Sequence, residues 1–206
     1  MIFYISIYVR RFLSKECRWR RKGAKFYEQK DYPNAIRAFD EVIKLNDKEI
    51  TVFFNRALAY EKIGRRDRAI TDYDKVIEID SNDYMAYYNR GINFINMAKY
   101  KQAIENFSKV IELKPKFALA YYNRGIAYSS LTQHEKALGD YDKAIRLDPK
   151  SSDTYYNRGL AYLSSGNQQK ALSDFKKARH LGPTNEKVQA ELDSLLKNGP
   201  NKVADT

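Results

Sequence analysis

The side chains able to do chemistry in this chain stand in rows. Asn55, Asn89, Asn123 and Asn157 recur at one fixed interval. Each follows an aromatic (Phe54, Tyr88, Tyr122, Tyr156) and precedes by three places an aliphatic (Leu58, Ile92, Ile126, Leu160). An asparagine side chain carries a donor and an acceptor together, so such a row can hold an extended peptide backbone whatever its side chains. The residue after each asparagine is Arg56, Arg90, Arg124 or Arg158. Nothing comparable serves catalysis. His134 and His180 are far apart with no recurring acid beside them, and His134 falls where other copies hold Tyr32 and Tyr100, a packing position. A phosphate loop, a paired Cys/His set and Gly-x-Ser-x-Gly are all lacking. The chain reads as non-catalytic, with no cofactor and no metal site expected.

These rows need a scaffold with the same period, and the sequence supplies one. Tyr121-Tyr122-Asn123-Arg124-Gly125 occurs one interval earlier as Tyr87-Tyr88-Asn89-Arg90-Gly91 and one later as Tyr155-Tyr156-Asn157-Arg158-Gly159. Further back it becomes Phe53-Phe54-Asn55-Arg56-Ala57, then Trp19-Arg20-Arg21-Lys22-Gly23. Constant spacing over five copies, with a period of about 34 residues, marks a repeat array. Its units are 16–49, 50–83, 84–117, 118–151 and 152–185. Each unit reads as two helices. In the first, triplets such as Tyr121/Gly125/Tyr128 and Tyr155/Gly159/Tyr162 share one helical stripe. A mid-helix glycine costs roughly 1 kcal/mol against alanine, so its recurrence predicts close helix approach, with Ala57 as the small substitute. In the second, Ala35/Phe39/Val42, Ala69/Tyr73/Val76 and Ala137/Tyr141/Ala144 repeat the same logic. Gly64 and Gly166 mark turns, with Lys30, Ala98 and Thr132 in the matching places, and Pro115, Pro149 and Pro183 close repeats. Val188, Leu192, Leu195 and Leu196 make one apolar stripe, so 186–198 is expected to be a capping helix and 199–206 a frayed tail.

Charge is uneven. Residues 1–30 hold nine Lys/Arg against two Asp/Glu, while the remainder holds 28 against 24. Met1 to Val9 is almost wholly apolar and is followed by Arg10 and Arg11. Nine helical residues rise ~14 Å against ~30 Å of bilayer hydrocarbon, so this stretch cannot span, and its charge order is the reverse of a signal peptide. Residues 1–15 are left as an arm. It is an extra capping helix, a disordered tail, the flank of an anchor that begins further upstream, or, with the basic residues up to 22, a contact for nucleic acid or a membrane surface. A single Cys17 makes a reducing compartment, the cytoplasm, the default expectation.

Trp19, Gly23, Phe26, Ala35 and Phe39, and their counterparts with Tyr for Trp, resemble the tetratricopeptide repeat (TPR) family over residues 16–185. The resemblance implies an all-α, TPR-type α-solenoid of helix-turn-helix repeats wound as a right-handed superhelix. It also implies a scaffold whose first helices line a concave groove for a peptide or partner protein. Carried onto this chain, the groove residues are Asn55, Asn89, Asn123 and Asn157 with Phe54, Tyr88, Tyr122 and Tyr156, then Leu58, Ile92, Ile126 and Leu160 one turn on. The asparagines resemble the ladder of some TPR and armadillo-type proteins; the other reading is that Asn and Tyr help neighbouring repeats to stack. TPR cochaperones that grip a terminal carboxylate need a basic residue and an Asn one turn apart, then an Asn, then two basic residues. The three frames here give Arg20, Ala24, Asn55, Met85, Asn89; Phe54, Leu58, Asn89, Leu119, Asn123; and Tyr88, Ile92, Asn123, Asp153, Asn157. All fail, so chaperone tails are not expected ligands.

The family's leucine before the glycine is replaced here by Lys22, Arg56, Arg90, Arg124 and Arg158. A half-buried arginine needs a partner. At one constant offset further on stand Asp72, Asn106, Asp140 and Asp174 for the four arginines. The spacing predicts pairs Arg56–Asp72, Arg124–Asp140 and Arg158–Asp174. On that footing Arg124→Leu should be tolerated or stabilising and Asp140→Leu destabilising, an order that thermal melts can check.

Overall fold

A computed structural model describes the backbone of residues 2–182 and 186–197. Its helices fall into two compact units, Met1–Met97 and Ala98–Thr206. The first contains α1 (Ile2–Glu28), α2 (Tyr32–Ile43), α3 (Ile50–Lys62), α4 (Arg66–Ile79) and α5 (Tyr84–Asn96). The second contains α6 (Tyr100–Leu113), α7 (Ala118–Ser130), α8 (His134–Leu147), α9 (Ser152–Ser164), α10 (Gln168–Leu181) and α11 (Glu186–Lys197). No strand occurs among the described residues. The fold is the all-α, TPR-type solenoid of helical hairpins. Within each unit every helix packs on the next in sequence, and α1 also touches α3 as α7 touches α9. From residue 2 the stretch set apart as an arm is continuous with α1. No helix among the described residues is long and apolar enough to cross a membrane.

Small residues set the helix separation. A Cβ added at Gly125 would lie 2.7 Å from Tyr141 Cε1, and one at Gly159 would lie 2.5 Å from Phe175 Cε1. Gly23 stands against Phe39 in the same way. In these three repeats the aromatic of the second helix lies against the backbone of the first, where a side chain would collide. Ala35, Phe39 and Val42, and their counterparts Ala137 and Tyr141 or Ala171 and Phe175, are fully buried. At the far end Val188 and Leu192 of α11 close over Ala171, Phe175 and Ala178, with Leu195 beside them. Pro183, the Leu196 side chain and residues 199–206 lie outside the described residues.

All five turn positions have positive φ: Lys30 (61°), Gly64 (74°), Ala98 (54°), Thr132 (57°) and Gly166 (77°). Each of four turns closes with an amide one place beyond that residue donating to the carbonyl five places back, as in Arg65 N to Tyr60 O at 2.9 Å and Gln133 N to Tyr128 O at 2.9 Å. This is the helix-ending arrangement that a left-handed residue makes possible. Space is not the reason for glycine, because a Cβ at Gly64 or Gly166 would meet nothing within 4 Å.

The arginines are clamped from two sides. Arg56 donates through Nε and Nη2 to both oxygens of Asp72 (2.8 and 2.6 Å) and through Nη1 to Asp40 (2.6 Å). Arg158 does the same with Asp174 (2.7 Å twice) and Asp142 (2.6 Å), and Arg124 with Asp140 (2.8 Å twice) and the Ser108 hydroxyl (3.0 Å). Arg90 binds Asp74. The pairs expected within each repeat, Arg56–Asp72, Arg124–Asp140 and Arg158–Asp174, are present. The second partner lies at the same offset in the opposite direction, on the preceding repeat, and the sequence pattern alone does not announce it. Its series runs Asp40, Asp74, Ser108, Asp142 and ends in Lys176. Each guanidinium also lies near its own helix's aromatics, Arg158 at 5.5 Å from the Tyr155 ring and 5.8 Å from Tyr162.

Around Arg56, burial works against the charge, but the hydrogen bonds and charges of Asp72 and Asp40 outweigh it and hold the guanidinium above its ordinary value. Burial pushes Asp72 up, against the pull of Arg56. The two partners thus disagree on how well the pair is served. The geometry decides for an ionised pair at neutral pH, since Arg56 binds two carboxylates at once, with Asp72 the member that neutralises first in acid.

Exposure argues for a larger cost at Arg124 than the sequence suggests. The Asp140 side chain is 9% exposed and that of Arg124 is 20% exposed. Removing the arginine strands a buried carboxylate, whereas a freed arginine keeps Ser108, two rings and access to water. Arg124→Leu should therefore cost about 3 kcal/mol, and Asp140→Asn about 1 kcal/mol, in urea unfolding. A second prediction concerns the turns. A left-handed conformation costs a β-branched residue about 1–2 kcal/mol, and glycine's extra unfolded-state freedom returns about 0.4–1 kcal/mol. Thr132→Gly should accordingly raise the melting temperature by a few degrees.

Candidate functional site

The residues singled out as a binding row occupy one helical stripe of each first helix, and two of them meet directly. In the second unit, Asn157 Nδ2 of α9 donates to Tyr122 Oη of α7 at 3.1 Å and to the Asp153 carbonyl at 2.9 Å. Asn157 Oδ1 accepts no hydrogen bond among the described residues. Between α7 and α9 opens a cavity of about 180 Å³, with Ile126, Asn157 and Leu160 among its walls. Its polar lining comes from Ser129, Ser130 and Ser164, and from Tyr141 and His134 on α8. Ser129 Oγ and Tyr141 Oη are 3.4 Å apart, a long contact. Burial pushes the Tyr141 phenol well up, against the Ser129 hydrogen bond, so it remains a donor at any physiological pH. His134 is half-buried, and its Nδ1 is a buried atom without a hydrogen-bond partner.

The row is not uniform. Asn123 is 8% exposed and donates to the Leu119 carbonyl at 2.8 Å, so it is largely an internal residue. Tyr122 leans on Tyr141 with ring centres 6.3 Å apart, and Tyr156 on Phe175 at 5.8 Å. Tyr156 and Leu160 also pack against the cluster closed by α11. Burial and then the charge of Glu191 raise the Tyr156 phenol.

In the first unit, Phe54 packs edge-on against Tyr73 at 5.5 Å. Leu58, Tyr88 and Ile92 are half-buried. Asn55 and Asn89 are also half-buried, and neither side chain makes a hydrogen bond among the described residues. Two residues that sequence reasoning missed, Glu61 and Asn93, form a network here with Tyr73. Glu61 Oε1 accepts from Tyr73 Oη at 3.0 Å and from Nδ2 of Asn93, which is 2% exposed. Asn93 uses its other hydrogen on the Asn89 carbonyl at 2.9 Å. Burial, followed by the charge and hydrogen bond of Glu61, pushes the Tyr73 phenol up. The available signal was a break in the repeat: Asn93 stands where other first helices have Ala59, Ala127 and Ala161, and Glu61 where they have Tyr27, Ile95, Ser129 and Leu163.

Helical hairpins at a constant period, small residues under each aromatic and a side-chain-lined face define a repeat scaffold. Comparison with known proteins agrees. Tetratricopeptide repeat models match residues 50–83, 118–151 and 140–173, and a TPR repeat model matches 23–64 and 98–131. The chain belongs to the tetratricopeptide repeat family. It is similar to the Hsp70-Hsp90 organizing protein of Triticum aestivum, 42% identical over 45 residues, which are 22% of this chain and 8% of that protein. It is also similar to small glutamine-rich tetratricopeptide repeat-containing protein 2 of Mycosarcoma maydis, 40% identical over 58 residues, covering 28% and 16%. The matches thus span only a small part of the curated relatives' length. Among solved structures, a MamA crystal structure is 30% identical with a TM-score of 0.75, covering 82% of this chain and 96% of that one. YrrB, described as a TPR protein with an unusual peptide-binding site, is 18% identical with a TM-score of 0.75, covering 85% and 90%, and shares the fold.

The network in the first unit is testable by stability. Glu61→Ala removes the acceptor of a buried phenol and a buried amide and should cost about 2–3 kcal/mol, while Glu61→Gln keeps an acceptor oxygen and should cost under about 1 kcal/mol, both read by urea unfolding.

Proposed function

We propose that this protein is a non-catalytic protein-protein interaction scaffold that docks a peptide segment or partner protein on the face carrying its asparagine row. The observation that carries this reading is the cavity between α7 and α9, walled by Ile126, Asn157 and Leu160. Those residues repeat at the same helical positions in the first unit as Leu58, Asn89 and Ile92. Apolar walls supply the burial that drives docking, and amide side chains supply hydrogen bonds to an extended main chain. Membership of the repeat family supports the scaffold role in its general form. Asn157 serves the stacking of repeats through Tyr122, while Asn55 and Asn89 keep their hydrogen-bonding capacity for a ligand.

A second reading has its own observation. Lys15, Arg18, Arg21 and Lys25 of α1 are exposed, and Arg20 makes a long 3.7 Å ion pair with Glu49. Such a basic helix would serve an adaptor at an anionic surface, RNA or membrane.

Affinity capture with the full chain separates the two. Partners bound through the asparagine face should be lost from an Asn55→Ala/Asn89→Ala double variant and retained between about 50 and 200 mM salt. Partners bound through α1 should show the opposite pattern and be lost from Arg18→Glu/Arg21→Glu. Charge reversal is preferable to deletion, because Trp19 of the same helix packs against the core of the first repeat.

A further inference from the structure

The two units treat one position in opposite ways. In the first, Glu61 supplies a carboxylate and Asn93 a carboxamide, hydrogen-bonded to each other, with Tyr73 donating to the carboxylate, and the repeat register sets Leu58, Asn89 and Ile92 in the places that Ile126, Asn157 and Leu160 hold in the second. Two repeats later the counterparts of Glu61, Asn93 and Tyr73 are Ser129, Ala161 and Tyr141. The short side chains leave the cavity of about 180 Å³, room for about six waters or one amino-acid side chain. What the first unit fills from its own chain, the second leaves open.

One group at the opening, the Tyr141 phenol, has a counterpart that the chain itself satisfies in the first unit. Tyr73 donates to a side-chain oxygen at 3.0 Å, whereas Tyr141 has only the 3.4 Å contact with Ser129. Asn157 Oδ1 accepts nothing among the described residues, both hydrogens of its amide being committed to Tyr122 and Asp153. His134 Nδ1 has no hydrogen-bond partner among the described residues. Among the described residues the lining contains no Lys, Arg, Asp or Glu, so a charged occupant would find no ion-pair partner there.

We propose that the cavity between α7 and α9 is a subsite for the neutral carboxamide side chain of a glutamine or asparagine in the docked peptide. The carboxamide oxygen accepts from Tyr141 Oη, its NH₂ donates to Asn157 Oδ1, and the methylenes lie against Ile126 and Leu160. This inference rests on the asparagine face being the docking face.

The test uses the full chain and three probes: the N-methylamides of N-acetylglutamine, N-acetylnorleucine and N-acetylglutamate. Binding is followed by NMR shifts of the Ser129, Ser130 and Ser164 amides and the His134 ring. The glutamine probe should bind about five- to tenfold more tightly than the other two, the worth of one or two neutral hydrogen bonds. Tyr141→Phe should erase that preference and leave norleucine binding unchanged. A Ser129→Glu/Ala161→Asn variant, which installs the first unit's arrangement, should lose the glutamine probe and melt at a higher temperature. Equal or tighter binding of norleucine or glutamate, no shifts with any probe, or unaltered glutamine binding in Tyr141→Phe would overturn the subsite. The docking face stands or falls separately, on whether partners are lost from Asn55→Ala/Asn89→Ala.

Discussion

Everything in this fold depends on where a planar cation can be placed between helices. In α3, α7 and α9 an arginine one step before the small residue reaches the second helix of its own repeat and the second helix of the repeat before. Arg56 and Arg158 each bind two carboxylates, and Arg124 a carboxylate and a hydroxyl. Only a guanidinium can make a two-pronged bond to one partner and a third bond to another. The small residue that follows, glycine or Ala57, lets the helices come close enough for that reach, and the flanking aromatics shield it. The same anchor sets the site. Asparagine immediately precedes arginine, so fixing the arginine inward fixes the rotation of the helix and hence the direction of the asparagine stripe.

How much of this was legible in the sequence follows from what each feature needs. The hairpins, the close approach at Gly125 and Gly159, the turn positions and the Arg–Asp pairs within a repeat all depend on one repeat alone. A fixed spacing therefore reveals them. The partners Asp40 and Asp142 obey the same offset in the opposite direction, yet their role requires knowing how one repeat lies on the next, and no spacing states that. The mutational order at Arg124 and Asp140 is revised for a related reason. Charge pairing can be read from residue types, but which partner is the more deeply buried cannot.

The site was legible as a stripe and illegible as a surface. The sequence treats Asn89, Asn123 and Asn157 alike. In the fold Asn123 turns to its own helix backbone, Asn157 to a neighbouring tyrosine, and Asn89 makes no side-chain hydrogen bond among the described residues. The informative residues were those that break the period, Glu61 and Asn93 among them, because a repeat's shared residues make its shape and its exceptions make its chemistry.

One exception lies at the end of the bridging series. Where earlier repeats offer Asp40, Asp74, Ser108 or Asp142 to the arginine of the next, the last offers Lys176, which is exposed. A further repeat of the same kind, whether from a longer chain or from a second molecule approaching end-on, would bring its guanidinium against an ammonium. Stacked modules whose ends match can grow into open filaments. At Lys176 like charges would meet, and Val188 and Leu192 of α11 already cover Ala171, Phe175 and Ala178, so this repeat does not present to a following one the carboxylate and apolar seat that earlier repeats present.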